Sequence, residues 1–217
     1  MNFWQKICFY DPFLPRLVCF VVILPDMLLT PADFDIKPGY FIHESTLHGR
    51  LHTYRVMCHV LVLGKRMNLY PQTTLAFCAA FVHDMARKHD GFCLMHGPRA
   101  ARIKVPEFSS LFEKYGLSRD DIGAISTAVS NHSQFVEISK KHPHYLVAAL
   151  LKDADALDRV RLGNDNLNPR FLRLSATSGL LPFSHQLYER SKGSLGMVFA
   201  GMLDIASDLL NEDLLEL

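Results

Sequence analysis

The chain has 217 residues, of which 49% are hydrophobic and 21% are charged. This length and composition are typical of one globular domain with a buried core, and they argue against intrinsic disorder. The 23 Lys and Arg residues nearly balance the 22 Asp and Glu residues, so the net charge of +1 gives no basic field that would recruit duplex nucleic acid.

Cysteine usage and the apolar stretches bear on the cellular compartment. The five cysteines are odd in number and include no C-x-x-C pair, which favours free thiols over a disulfide framework. The most apolar stretch, residues 17–24, is shorter than the roughly 20 residues that a membrane span needs. Prolines before it interrupt the apolar core that a signal peptide requires. We predict a cytoplasmic protein with no membrane partner, in which residues 17–24 form a strand or a buried extended segment.

Prolines divide the first 44 residues into pieces too short for long helices. We predict that residues 1–44 form an irregular arm that packs on the core and holds one short helix or strand. Residues 45–217 are predicted to form the helical domain on which this arm packs.

The spacing of apolar residues becomes helical after Thr46. Residues 46–67 carry apolar side chains three or four positions apart, and Ser45 or Thr46 can cap the helix that this pattern predicts. A second helix is predicted over 72–88. It should be central, because residues 75–82 are apolar nearly all round.

Further helices are predicted after a loop at 89–97. Ser118 and Asp121 form a capping-box pattern at the start of one of them, and Pro143 and Gly163 bracket another. No segment alternates apolar and polar residues over more than a few positions, so the predicted fold class is all-α. These later helices are predicted at 98–104, 107–115, 119–132, 143–162, 182–192 and 195–215.

Four potential metal ligands lie at wide spacing on predicted helices: His52, His83, Asp84 and Asp155. A set of imidazoles and carboxylates without cysteine suits a catalytic divalent cation better than a structural zinc. The adjacent His83 and Asp84 end a very apolar helix, where packing gives no reason for a polar pair. His48 is a further histidine on the same helix face as His52.

The segment 152–159 supplies the last of these ligands. Asp153 and Asp155 are two positions apart and point about 200° away from each other on a helix, so they cannot both bind one metal. Taken alone, this segment is typical of a solvated charged face. It becomes a candidate ligand segment because of the histidines elsewhere.

Three motifs in this order resemble those of the HD-domain metal-dependent phosphohydrolase superfamily. They are HGRLHTYRV at 48–56, AAFVHDMAR at 79–87 and LKDADALDR at 151–159. The resemblance covers about residues 46–163. It implies a single HD-domain-type helical bundle, to which this chain adds its N-terminal arm and extra C-terminal helices.

The resemblance also implies a ligand set. Carried over by motif, the metal ligands are His52, His83, Asp84 and Asp155. The A-D-A-L context selects Asp155 over Asp153, and the Arg-Val that follows at the family's offset selects His52 over His48.

Two further histidines fit the order of ligands in two-metal branches of this superfamily: His96 in HGPRAARI and His132 in VSNHS. The resemblance therefore implies that they bind a second metal. In a single-metal branch, the same residues would instead protonate the leaving group or contact phosphate.

The implied activity is hydrolysis, by a metal-activated water, of a phosphomonoester, phosphodiester or pyrophosphate bond in a nucleotide or small phosphorylated metabolite. Asp84 would bind or bridge the metal and orient the water. Arg55 and Arg87 would hold phosphate oxygens, with Lys152 a weaker candidate. Arg55 could equally fix a carboxylate near the metal. The ligand types admit one or two ions of Mn²⁺, Fe²⁺, Ni²⁺, Co²⁺, Mg²⁺ or Zn²⁺.

Two other functions remain open at this stage. A branch of the same superfamily consists of di-iron oxygenases with the order H…HD…H…H…D, which His96 and His132 complete here. The third possibility is a non-catalytic HD regulatory module, which the presence of all four expected ligands disfavours. The chain lacks a G-Y-P extension, which disfavours cyclic-di-GMP as the substrate.

Overall fold

The computed structural model of the protein describes residues 4–8, 18–24, 27–163 and 166–215. The predicted all-α class is confirmed for the domain, whose described elements from Thr30 onward are all helical. They comprise eight α-helices and short 3₁₀-helices. The α-helices are α1 Arg50–Arg66, α2 Tyr70–Val82, α3 His96–Glu107, α4 Ser109–Lys114, α5 Arg119–His132, α6 Tyr145–Leu157, α7 Leu181–Ser191 and α8 Phe199–Leu215.

The N-terminal arm is more regular than predicted, because it contains a small antiparallel sheet. Its three strands are β1 Trp4–Cys8, β2 Val18–Leu24 and β3 Met27–Leu29, in the order β1-β2-β3. Val22 pairs with Trp4 on one side and with Leu29 on the other. The central strand is rich in valine and isoleucine, which favour extended structure. The strand predicted within residues 17–24 is therefore confirmed.

The end of the arm joins the core through aromatic packing. After β3, a 3₁₀-helix at Pro31–Phe34 places the fully buried Phe34 edge-on against Phe77 and Phe81 of α2, at ring-centroid distances of 4.9 and 5.3 Å. The backbone N–H of Ile36 donates to the hydroxyl of Tyr54 in α1 at 2.7 Å. Edge-on aromatic contacts and a buried hydrogen bond fix this segment on the helices.

Helix α2 is central, as predicted, and it ends earlier than predicted. Every side chain from Ala76 to Val82 is buried. Instead of continuing to Lys88, the chain turns after Val82, where the N–H of Met85 donates to the carbonyl of Val82 and that of Arg87 to the carbonyl of Asp84. His83 and Asp84 therefore lie where the helix opens into turns, and their side chains face neighbouring helices.

The starts and ends of other helices follow local hydrogen bonding. Helix α1 begins at Arg50, later than predicted, because the Ser45 hydroxyl accepts the N–H groups of Leu47 and His48 in a preceding turn. The capping box predicted for α5 is present, with Ser118 and Asp121 each accepting the other's backbone N–H. Helix α6 ends at Leu157 and continues as a 3₁₀-helix to the predicted stop, Gly163, whose φ of 108° suits glycine.

The described residues contain no membrane-spanning helix and, among the cysteines whose side chains are described, no disulfide bond. None of their helices has the length and apolar character needed to cross a bilayer. Cys58, Cys78 and Cys93 are free thiols, the first two buried in the core, where burial raises their pKa well above the ordinary value.

Candidate metal centre

Five helices bring the six predicted metal ligands to one point, each near a helix end. His52 lies in the first turn of α1, and His83 and Asp84 follow α2 directly. His96 is the first residue of α3 and His132 is the last residue of α5. The sixth ligand is Asp155, two residues before the end of α6.

Asp84 lies at the centre of this group, and its two oxygens face different histidines. Oδ2 is 3.5 Å from Nε2 of His52 and 3.7 Å from Nε2 of His83. Oδ1 is 3.2 Å from Nε2 of His96 and 3.6 Å from Nε2 of His132. Each oxygen of Asp84 is therefore placed beside a different pair of potential ligands.

Each half of the centre contains a close contact between ring nitrogens. In the first half, Nε2 of His52 lies 3.3 Å from Nε2 of His83 and 3.4 Å from Oδ1 of Asp155. In the second half, Nε2 of His96 lies 2.9 Å from Nε2 of His132. Two of the ligand sets whose atoms lie within 4.8 Å of one another are His52, His83 and Asp155, and His83, Asp84 and His132.

The Nδ1 atoms determine which nitrogen of each ring is free to bind a metal. Nδ1 of His83 donates to the carbonyl of Ala80 at 2.7 Å. Those of His96 and His132 donate at 2.6 Å to the carbonyls of Cys93 and Val129. Because a carbonyl oxygen can only accept a hydrogen bond, Nδ1 carries the proton in each of these rings. In the neutral ring Nε2 is then unprotonated and has a lone pair available for a metal.

The second half of the centre consequently brings two lone pairs to 2.9 Å of each other, beside a carboxylate oxygen. Neutral rings in this arrangement have no proton to share, and their lone pairs repel. A cation among His96, His132 and Asp84 would convert this repulsion into ligation. The donor set therefore fits a divalent metal.

A buried chain of polar side chains orients His52. Its Nδ1 donates to Oδ2 of Asp158 at 2.7 Å, and the Asp158 carboxylate accepts from Nε and Nη2 of Arg55 at 2.5 and 3.1 Å. Arg55 also donates to Ser191 of α7 at 3.3 Å. The Arg55 side chain is buried and does not line the described cavity, so its contacts place it to orient His52 through Asp158.

Asp158 is the residue that sequence reasoning missed here. It begins the 3₁₀-helix that follows α6 and is fully buried. The need of the buried Arg55 for an acidic partner could have indicated it, because Asp158 lies three residues after Asp155 on the same helical face.

His48 also contacts the centre. Its Nδ1 lies 3.1 Å from Oδ2 of Asp84, and Nη2 of Arg161 lies 3.4 Å away. Of the two histidines in this motif, only His52 also approaches His83 and Asp155. His48 therefore contacts Asp84, and with His52 and Asp84 it forms a further group of atoms that could hold a metal ion.

The remaining predicted site residues are basic, and each has partners. Nε of Arg87 donates to Oδ1 of Asp84 at 2.9 Å, and Nη1 donates to the carbonyl of Gly91. The ammonium group of Lys152 is within reach of three acceptors: Glu137 at 2.9 Å, the carbonyl of Gln134 at 3.0 Å and Oδ1 of Asn131 at 3.3 Å. Its three N–H donors are thus occupied, which leaves it little capacity for phosphate.

A cavity of about 580 Å³ reaches the second half of the centre. His96 and His132 line its inner end together with Asp155, whose side chain is 32% exposed. Arg159, which sequence reasoning treated as a surface residue, also lines the wall. Within the described residues, only its Nε is hydrogen-bonded, to the carbonyl of Asn166. A small molecule can therefore reach the ligands from this side.

Electrostatic coupling within the centre is strong. Burial acts to raise the pKa of Asp84, but His83 and the hydrogen-bonding histidines hold that pKa well below its usual range. Burial lowers the pKa of His83 to about 4 and that of His96 to about 3. Burial also acts to lower the pKa of His52, yet its three carboxylate neighbours raise it to about 9. At neutral pH this balance favours anionic carboxylates with neutral His83 and His96, as metal ligation requires. It also favours a protonated His52, which would have to release its Nε2 proton to bind a metal.

Comparisons with protein-family models, with curated proteins and with solved structures gave no match. The likeness to HD-domain enzymes consequently depends on the three motifs alone.

Proposed function

We propose that the protein is a metal-dependent phosphohydrolase of the HD-domain type, in which the residues around Asp84 would hold two divalent cations. One observation carries this proposal: four imidazoles, each fixed by an oxygen acceptor on Nδ1, direct Nε2 toward the two oxygens of one buried carboxylate. His52, His83, Asp84 and Asp155 would hold one ion. Asp84, His96 and His132 would hold the other.

Ligand chemistry limits the metal and its role. Imidazole with carboxylate suits Mn²⁺, Fe²⁺, Co²⁺, Ni²⁺ or Zn²⁺ more than Mg²⁺, which prefers oxygen ligands. Bound at this point, such an ion would supply Lewis acidity to a phosphoryl oxygen and to water. His96 and His132 act in this proposal as ligands and not as the acid that protonates the leaving group.

In this proposal the cavity would hold the phosphate group of the substrate. Arg87 and Arg159 line it near the ligands, and guanidinium groups match the geometry of phosphate oxygens. In the reaction, the oxygen of a water forms a bond to phosphorus and the ester P–O bond breaks. The electron pair of that bond stays with the leaving oxygen, which takes up a proton.

Phosphate release from a panel of nucleotides, sugar phosphates and aryl phosphates tests the proposal. The protein is first treated with a chelator and then supplied with Mn²⁺, Co²⁺ or Ni²⁺. We expect release from at least one class, its loss in His83→Ala, and its retention in His185→Gln, which alters an exposed histidine outside the centre. A thermal melt establishes that His83→Ala is folded. Absence of release across the whole panel would contradict the proposal.

A di-iron oxygenase is the second candidate, because a carboxylate between two histidine pairs also suits two iron ions. Dioxygen uptake by the iron-loaded protein, measured with the same panel, separates the two functions. Consumption of dioxygen without phosphate release would favour the oxygenase. A non-catalytic module would bind metal and show neither activity.

A further inference from the structure

Three phenylalanines at the mouth of the cavity have no place in the core. Phe92 and Phe135 are each 77% exposed and Phe171 is 72% exposed, and all three line the same cavity as His96 and His132. Exposing three aromatic rings to water is unfavourable, and apolar groups clustered at a pocket are typical of a ligand contact. We refer to Phe92, Phe135 and Phe171 as the aromatic rim.

Two members of the aromatic rim are already stacked. The rings of Phe92 and Phe135 lie 5.8 Å apart, with an angle of 20° between their planes. Their loops are joined, because the Ser133 hydroxyl and the Gln134 amide both donate to the carbonyl of Leu94, at 2.7 and 2.6 Å. The ring pair is thus held in position before any ligand arrives, which lowers the entropic cost of stacking on it.

Hydrogen bonds also hold the segment that carries Phe171, the third member of the aromatic rim. The carbonyl of Phe171 accepts from Nη1 of Arg173 at 3.0 Å. The backbone N–H of Arg173 in turn donates to the buried carboxylate of Asp153, and its guanidinium is paired with Glu137. The backbone that carries Phe171 is therefore fixed in the wall of the cavity.

The cavity has two chemically different ends. The metal centre and Arg159 give the inner end a preference for an anionic group, while the aromatic rim gives the mouth a preference for a flat apolar one. A ligand that satisfies both ends carries a phosphate and a planar ring. A hydrophilic sugar phosphate would satisfy only the inner end.

We propose that the aromatic rim selects phosphate esters that carry a planar ring, such as a nucleobase, by stacking on that ring. The inference rests on the proposed function insofar as that function places the phosphate at the metal centre. Stacking of a base on an aromatic side chain typically changes affinity by about tenfold. The rim would thus set specificity without touching the reacting atoms.

AMP and ribose 5-phosphate form a matched pair of probes, because they share the phosphate and the sugar and differ in the adenine ring. Their binding to the full-length protein loaded with Mn²⁺ is measured by calorimetry. We expect AMP to bind about tenfold more tightly than ribose 5-phosphate. In Phe135→Leu and Phe92→Leu this advantage should fall to within about twofold, with the affinity for ribose 5-phosphate unchanged.

Leu195→Ala is the matched control, since Leu195 is 69% exposed and does not line the cavity. Because the rim residues are exposed, their leucine variants should fold normally. Equal affinities for AMP and ribose 5-phosphate, or an AMP advantage that survives in both leucine variants, would overturn the inference. So would a failure of both probes to bind. A dimer that dissociates in Phe135→Leu would assign the rim to a second copy of the chain instead.

Phosphate release, measured in parallel, separates this inference from the proposed function. Hydrolysis with no preference for substrates that carry a ring would support the proposed phosphohydrolase activity and reject the proposed role of the aromatic rim. A ring-dependent affinity without hydrolysis of any ester would support the rim and reject the phosphohydrolase.

Discussion

Each histidine of the metal centre is fixed through Nδ1, and this shared detail gives the site its chemistry. Backbone carbonyls hold three of the rings, whereas the Asp158 carboxylate holds His52. An anionic acceptor makes the opposite nitrogen more basic and fixes the ring orientation. Asp158 is therefore expected to influence metal affinity without contacting the metal.

We predict that Asp158→Asn lowers the affinity for Mn²⁺ by about 10- to 100-fold. It should also lower the melting temperature, because the buried Arg55 would lose its anionic partner. Calorimetric titration and a thermal melt measure the two effects. Asp208→Asn, at an exposed position of α8, should change neither. Unaltered Mn²⁺ affinity in a folded Asp158→Asn protein would show that Asp158 does not tune His52.

At the scale of elements, α6 carries two aspartates whose side chains contact different parts of the molecule. Asp155 faces the metal centre. Asp153 is fully buried on another side of the helix, where its carboxylate accepts the backbone N–H groups of Arg173 and Leu174 and the hydroxyl of Thr177. The predicted divergence of these two side chains therefore lets α6 supply one potential ligand, Asp155, and fix the segment after Phe171 through Asp153.

This division predicts opposite outcomes for two conservative changes. Asp153→Asn weakens hydrogen bonds to a buried acceptor and should reduce the free energy of unfolding by about 1–3 kcal/mol, with Mn²⁺ still bound. Asp155→Asn should lose most Mn²⁺ affinity and retain stability, since its side chain is partly exposed. Urea denaturation and equilibrium dialysis with Mn²⁺ distinguish the two. Loss of Mn²⁺ by Asp153→Asn alone would mean that the ligand on α6 is wrongly assigned.

At the scale of the whole molecule, the ligands come from five helices, so metal binding should stabilise the entire fold. At a free Mn²⁺ concentration one hundred times Kd, linkage adds about 2.7 kcal/mol. For a chain of this length, this corresponds to a rise in melting temperature of about 5–10 °C. A chelator should reverse the rise, and His83→Ala should abolish it. A melting temperature that Mn²⁺ leaves unchanged would contradict a site formed between these helices.

The sequence predicts those features of the molecule that depend on nearby residues. The capping box of α5, the stop at Gly163 and the buried character of α2 all follow from local spacing, and the structure contains each of them. Asp158 acquires its role from contacts with His52 and Arg55 in α1, and Arg159 acquires its role from a cavity that distant segments enclose. The aromatic rim likewise joins three separate segments of the chain. Pairings of this kind depend on tertiary packing, which one sequence does not specify.

Anomalous X-ray diffraction from a crystal of the protein grown with Mn²⁺ tests the central claim most directly. The predicted result is two peaks on either side of Asp84. One should lie among His52, His83 and Asp155, and the other between His96 and His132. A map without peaks there, or with Mn²⁺ bound only elsewhere, would contradict the assignment of this cluster as a two-metal centre.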